Sequence, residues 1–354
     1  MITGLMALIV IGSACWLVLP CWMFPYAVLF KMKRWRLVSR RLWVVYDTNS
    51  YRELSPARFT KLHKCELRRG IDALASYWVA TELLSHMAKS TDKAFRSSWA
   101  ALRRLWRHCA PDGRNIQWLA DSEAHVCHTL FGIDIPGRKA EAAVYGLLVG
   151  SIANAASAAD WKHLQPALDG LAAHVEQIEQ QFRDDVWNYV IVSVNPNATS
   201  WAPSAATSAL RAQLAAVFSS NQGRDLSAQM FVRKAAADAQ LTLTPQEVAE
   251  KAQEVRRAFP IPVEYYNAVL LKIVQSGLDL DDKTNRNAIW DVQIAFSASP
   301  AASLQGAPVW VVTTDGLLLE AAKSADAGSV ARGLKDFERL VTGPRRELNA
   351  ALYG

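Results

Sequence analysis

Two short apolar runs near opposite ends of the chain, Leu42 to Tyr46 and Val309 to Val312, each stop at a polar turn that carries an acid. Asp47-Thr48-Asn49 follows the first and Thr313-Thr314-Asp315 follows the second. Compact β-rich runs bounded by such turns predict strands. An acid at the C-terminal end of a strand sits where open α/β sheets place their ligands. Gly316 to Ala325 then reads as a helix, so the end of the chain repeats the strand, acidic turn and helix of its beginning. The expected class is therefore α/β.

Between these ends the patterning is helical. From Gly70 to Met87, apolar residues Ile71, Leu74, Ala75, Trp78, Val79, Leu83 and Met87 recur at helical spacing, with Glu82 on or beside that face. Helices are also expected over Phe95–Leu105, Ala140–Ala159, His163–Phe182, Leu210–Phe218, Asp225–Ala239, Thr244–Ala258 and Val263–Gln275. Thr244-Pro245-Gln246-Glu247 has the form of a helix start. Asn287 to Ser297 predicts a helix carrying Asp291. Tyr189 to Val194 is the one β-rich run of the middle and suggests a further strand, and Asn195 to Ser208 is dense in turn formers.

The first thirty residues contain no Asp, Glu, Lys, Arg or His, and Leu5 to Leu19 is nearly all apolar. Residues 1–30 thus read as a transmembrane segment, and the basic residues from Lys31 to Arg41 place the rest of the chain on the cytoplasmic side of an inner membrane. The alternative is a cytoplasmic protein that starts near Met32. A formal charge of +6 suits an anionic partner, either nucleic acid or membrane head groups. Five scattered cysteines, Cys15, Cys21, Cys65, Cys109 and Cys127, show no C-x-x-C spacing and argue against a disulfide scaffold.

If the two acid-terminated strands are neighbours, Asp47 and Asp315 meet, and the helices bearing Glu82 and Asp291 can pack alongside. Four carboxylates raise one another's pKa, and a hard divalent cation, Mg or Mn, is the natural counter-charge for an oxygen-only set. Such a centre suits phosphodiester hydrolysis. Val44-Val45-Tyr46-Asp47-Thr48-Asn49, Glu82-Leu83, Trp290-Asp291-Val292-Gln293-Ile294-Ala295 and Val311-Val312-Thr313-Thr314-Asp315 resemble, in order, the successive motifs of PIN-domain ribonucleases. The resemblance implies an α/β/α sandwich with a central parallel sheet and an endoribonuclease acting on single-stranded RNA. It also implies Asp47, Glu82, Asp291 and Asp315 as metal-binding, catalytic acids. Asn49 would orient the first acid, and the Thr313 hydroxyl would support a ligand near Asp315.

On this reading residues 42–95 and 281–330 are the two PIN-like parts, 96–280 a mainly helical insertion, and 331–354 a C-terminal tail. The interval between Glu82 and Asp291 is much longer than in the family. Arg96, Arg103, Arg104 and Arg107 are candidates to track RNA phosphates, although Trp99 and Trp106 at helical spacing also fit a core. His108, Cys109, His125, Cys127 and His128 match no familiar zinc spacing and are read as ordinary helix residues. A regulatory protein or antitoxin is the protein partner such a nuclease implies, and homo-oligomerisation is left open. The competing class is a noncatalytic PIN-like adaptor that binds protein, RNA or membrane.

Overall fold

The computed structural model describes residues 42–353 except 120, 189–191, 193–207, 277–281, 283–287, 300–306, 308 and 329. The chain enters through β1 (Leu42–Tyr46), α1 (Thr48–Glu53), α2 (Pro56–Arg69), β2 (Ile71–Leu74) and α3 (Tyr77–Ser85). A long helical stretch follows: α4 (Phe95–Cys109), α5 (Ser122–Phe131), α6 (Arg138–Asn154), α7 (Gln165–Val186), α8 (Ser208–Phe218), α9 (Asn221–Asp238), α10 (Pro245–Ala258) and α11 (Pro260–Gln275). It closes with α12 (Ala288–Ala295), β3 (Val309–Thr313), α13 (Gly316–Ser324), β4 (Ala331–Gly333), α14 (Leu334–Thr342) and α15 (Arg345–Tyr353).

The described strands form a parallel sheet in the order β2-β1-β3-β4. The two acid-terminated strands are thus neighbours at its centre, with Tyr46 opposite Val312. From β1 the chain steps to one side for β2 and to the other for β3. The β1/β3 junction is therefore the topological switch point, the place at the carboxyl ends of the strands where open α/β sheets hold their ligands.

Two expectations change. Ile71 to Leu74 is a strand, not the first turn of a helix, because Gly70 ends α2 in the left-handed region (φ 70°) and the next residues pair with Leu42 to Val45. In a four-residue strand buried at Ile71, Ala73 and Leu74 the apolar positions mimic helical spacing. The segment expected as a C-terminal tail contributes β4, which pairs with β3, and α14, which packs against α2. Thr244 caps α10 with a full capping box, as its sequence suggested. The run Tyr189 to Val194 falls almost wholly outside the described residues, as does the apolar segment 1–30. Among the described residues no helix is long and apolar enough to cross a membrane.

One cluster of buried side chains runs from β1 through α4, α7 and α11 to α14, so the helices between Glu82 and Asp291 share the core of the sheet. Close packing is visible where α6 crosses α4. A Cβ added at Gly150 would lie 2.8 Å from two ring carbons of Trp106. Gly150→Ala should therefore lower stability by about 1–2 kcal/mol, overpacking against the ring outweighing the better helix propensity of alanine. Urea unfolding would check this, and an unchanged midpoint would mean that the ring moves freely.

Candidate functional site

The site is assembled at the carboxyl edge of the sheet. β1 stops at Asp47, whose side chain caps α1 by accepting a hydrogen bond from Ser50 N at 2.5 Å. β3 stops at Thr313, and Asp315 caps α13 by accepting from Leu317 N at 2.8 Å. The ordinary turn chemistry of strand-ending acids and their convergence are thus realised together. Asp47 N also donates to Val312 O at 3.0 Å, which draws the two acidic turns together.

Thr313 links the pair. Its hydroxyl is fully buried, donates to Asp47 Oδ2 at 2.6 Å and accepts from Asp315 N at 2.9 Å. Thr314 N adds a bond to Asp47 Oδ2 at 3.1 Å. Burial pushes Asp47 above the usual carboxylate range, and the bonds from Ser50, Thr313 and Thr314 pull it back. Asn49, expected to orient Asp47, is instead exposed, and its neighbour Ser50 does that work through its backbone N–H. The one-residue offset follows from the helix: an N-cap side chain reaches the amides two or three residues on.

Glu82 and Asp291 come from α3 and α12, which pack against each other with Trp78 and Trp290 at 5.8 Å between ring centroids. Glu82 accepts from the Thr48 hydroxyl at 2.6 Å and pairs with Arg52 at 3.2 Å. Asp291 is the electrostatic centre. Burial, then Asp315, Glu82 and Asp47, push its carboxyl up to about 8, with Lys272 opposing. The charges of Asp315, Glu82 and Asp47 thus all reach Asp291. Tyr265 of α11 donates to Asp315 Oδ2 at 2.5 Å, so the helical stretch supplies part of the site wall.

Sequence reasoning alone does not single out Thr48, Arg52, Tyr265 or Lys272 as site residues. Thr48 lies inside the first acidic motif, which is the signal that could have found it. Arg52, Tyr265 and Lys272 carry no local signal, since their roles depend on which helices the fold brings together.

The arginines of α4 are largely engaged with their own chain. Arg103 donates to Ala155 O at 2.5 Å and lies over the Trp99 ring, and Arg104 donates to Tyr51 O at 2.8 Å. Arg107 stands over Phe59 at 5.7 Å, while Arg96 is exposed. Trp99 packs on Trp161, and Trp106 is buried, so both belong to the core.

Beside the acid cluster lies a second network. Tyr46 donates to Glu66 Oε1 at 2.6 Å, and His108 Nε2 donates to Glu66 Oε2 at 2.9 Å. Burial alone would push Glu66 up, but His108, His63 and Tyr46 override it and hold the carboxyl down at about 2. Among the described residues, His63, Glu66 and His108 are the group whose ligand atoms all lie within 4.8 Å of one another, a spacing the four acids do not reach. Compared with protein-family models, characterised proteins and solved structures, the chain matches none.

Proposed function

We propose that the chain is a metal-dependent, PIN-like endoribonuclease that hydrolyses phosphodiester bonds of single-stranded RNA. The observation that carries this reading is the convergence of Asp47, Glu82 and Asp315 on Asp291 at the switch point of a parallel sheet. An all-oxygen set of four acids, one of them pushed far up by burial and by the charges of the other three, fits a hard cation, Mg or Mn. When bound, such an ion activates water and offsets charge on the phosphodiester.

The chain's own residues prepare the site for this. Three hydrogen bonds hold Asp47 in one orientation and occupy only part of its acceptor capacity. Tyr265 orients Asp315, and Thr48 orients Glu82. Arg52 and Lys272 supply partial counter-charge at the cluster. The deprotonated form of Asp291 is favoured once a cation neutralises its neighbours.

The test is cleavage of labelled single-stranded RNA by the full-length chain, with Mn or Mg against chelator, beside Asp47→Asn and Asp291→Asn. Cleavage should require the ion and fall by at least about 100-fold in either variant. A folded wild-type protein inert on RNAs of varied sequence with both ions would leave a noncatalytic PIN-like adaptor as the better reading.

A further inference from the structure

The His63, Glu66 and His108 group lies outside the acid cluster and has different donor chemistry. Two imidazole nitrogens and one carboxylate oxygen form the kind of mixed set that takes zinc or a similar borderline metal, whereas Mg and Mn prefer oxygen alone. His63 and Glu66 stand one turn apart on α2, and His108 reaches them from α4. We propose that His63 Nδ1, Glu66 Oε2 and His108 Nε2 form a transition-metal site of the zinc type, distinct from the four acids.

The spacing supports it. Three ligands placed tetrahedrally around zinc at ordinary bond lengths lie about 3.3 Å apart. Glu66 Oε2 is 2.9 Å from His108 Nε2 and 3.7 Å from His63 Nδ1, values that bracket this edge. The two histidine nitrogens lie within 4.8 Å of each other, so closing the set means drawing His63 inward from its partly exposed position. His63 Nδ1 is buried and makes no hydrogen bond, so ligation would satisfy an orphaned polar atom. The histidine side chain itself is 23% exposed, which leaves a route for the ion and for a water in the fourth position.

The surrounding shell is also in place. Metal-binding histidines usually engage their second nitrogen, and metal-binding carboxylates their second oxygen. Here Tyr51 meets His108 Nδ1 at 3.0 Å, and Tyr46 meets Glu66 Oε1 at 2.6 Å. Ligation needs His108 Nε2 without its proton, and Nδ1–H can then donate to the Tyr51 oxygen while the Tyr51 hydroxyl turns toward Cys109 Sγ, 3.5 Å away. A bound ion would clamp α2 to α4 and, through Tyr46 and Tyr51, brace the segments on either side of Asp47.

Cobalt(II), a zinc surrogate with visible absorption, is the probe. Full-length protein stripped by chelator should bind one Co²⁺ at this site with the intense visible bands of four-coordinate mixed nitrogen and oxygen ligation, and Zn²⁺ should bleach them. His63→Ala should weaken this binding by more than about tenfold, since even outer partners of ligands cost that much. His63→Phe, which keeps the ring stacked on Phe59, should do the same and guards against a packing artefact. Asp47→Asn/Asp291→Asn should leave the bands intact, and RNA cleavage plays no part in the readout, so the two sites can fail separately. Wild-type protein without these bands, or bands unchanged in both folded His63 variants, would overturn the proposal.

Discussion

Asp291→Asn is expected to make the chelator-treated protein more stable than wild type at pH 8, while cancelling the stabilisation that Mn gives the wild-type chain. In the folded protein the carboxyl titrates at about 8, against an ordinary value of 3.8. Between those values the native state holds a proton that the unfolded state has released, so stability falls as pH rises. The favourable difference is fully present below about pH 4 and gone above about pH 8. Asparagine resembles the protonated acid and does not titrate, so the variant's advantage should grow across that window.

A one-unit shift corresponds to about 1.4 kcal/mol, so even half of this displacement amounts to roughly 3 kcal/mol. Thermal melts at pH 5 and pH 8, with chelator and with Mn, would read it out. Mn should raise the wild-type midpoint by mass action and leave the variant nearly unmoved. A variant less stable than wild type at both pH values would show that Asp291 is a satisfied structural carboxylate, and would remove the main support for a cation site.

The second large effect lies in the buried network. His108→Leu should destabilise the chelator-treated fold by roughly 3–5 kcal/mol, because it leaves the Glu66 carboxylate buried without its principal partner. Glu66 is 1% exposed, Tyr46 reaches only its Oε1, and His63 stands 3.7 Å from its Oε2. Glu66→Leu/His108→Leu should recover much of the loss, since apolar pairs of similar volume often replace buried polar pairs at little cost. Denaturant unfolding of the three proteins would give the coupling. A single variant within about 1 kcal/mol of wild type would mean that water reaches Glu66.

Three of the four predicted acids are legible in the sequence because they sit beside a strong local signal. Asp47 and Asp315 end apolar strands, and Asp291 lies on a short apolar helix. Glu82 is a weaker inference, resting on a carboxylate at the edge of an apolar stripe, and the structure sets it against Thr48 and Arg52. The supporting residues are less visible. A hydrogen-bond partner such as Tyr265 is chosen by which helix packs against α13, and that choice leaves no trace in the neighbouring residues.

The His63, Glu66 and His108 group shows the same limit. In the sequence His108 stands out only by its type, and no zinc spacing is recognisable because the third ligand comes from another helix, 42 positions away from Glu66.

The chain by itself thus determined the two buried strands, their acidic ends and most helix positions, because these follow from periodicity, capping and turn chemistry within a few residues. Tertiary structure alone decided that Ile71–Leu74 and Ala331–Gly333 become strands. Segments of four and three residues are too short to show a period, and only their ladder partners hold them extended. It also decided that four acids share one field and that Glu66 is buried beside His108. Proximity between residues distant in sequence arises from packing, and local chemistry does not encode it.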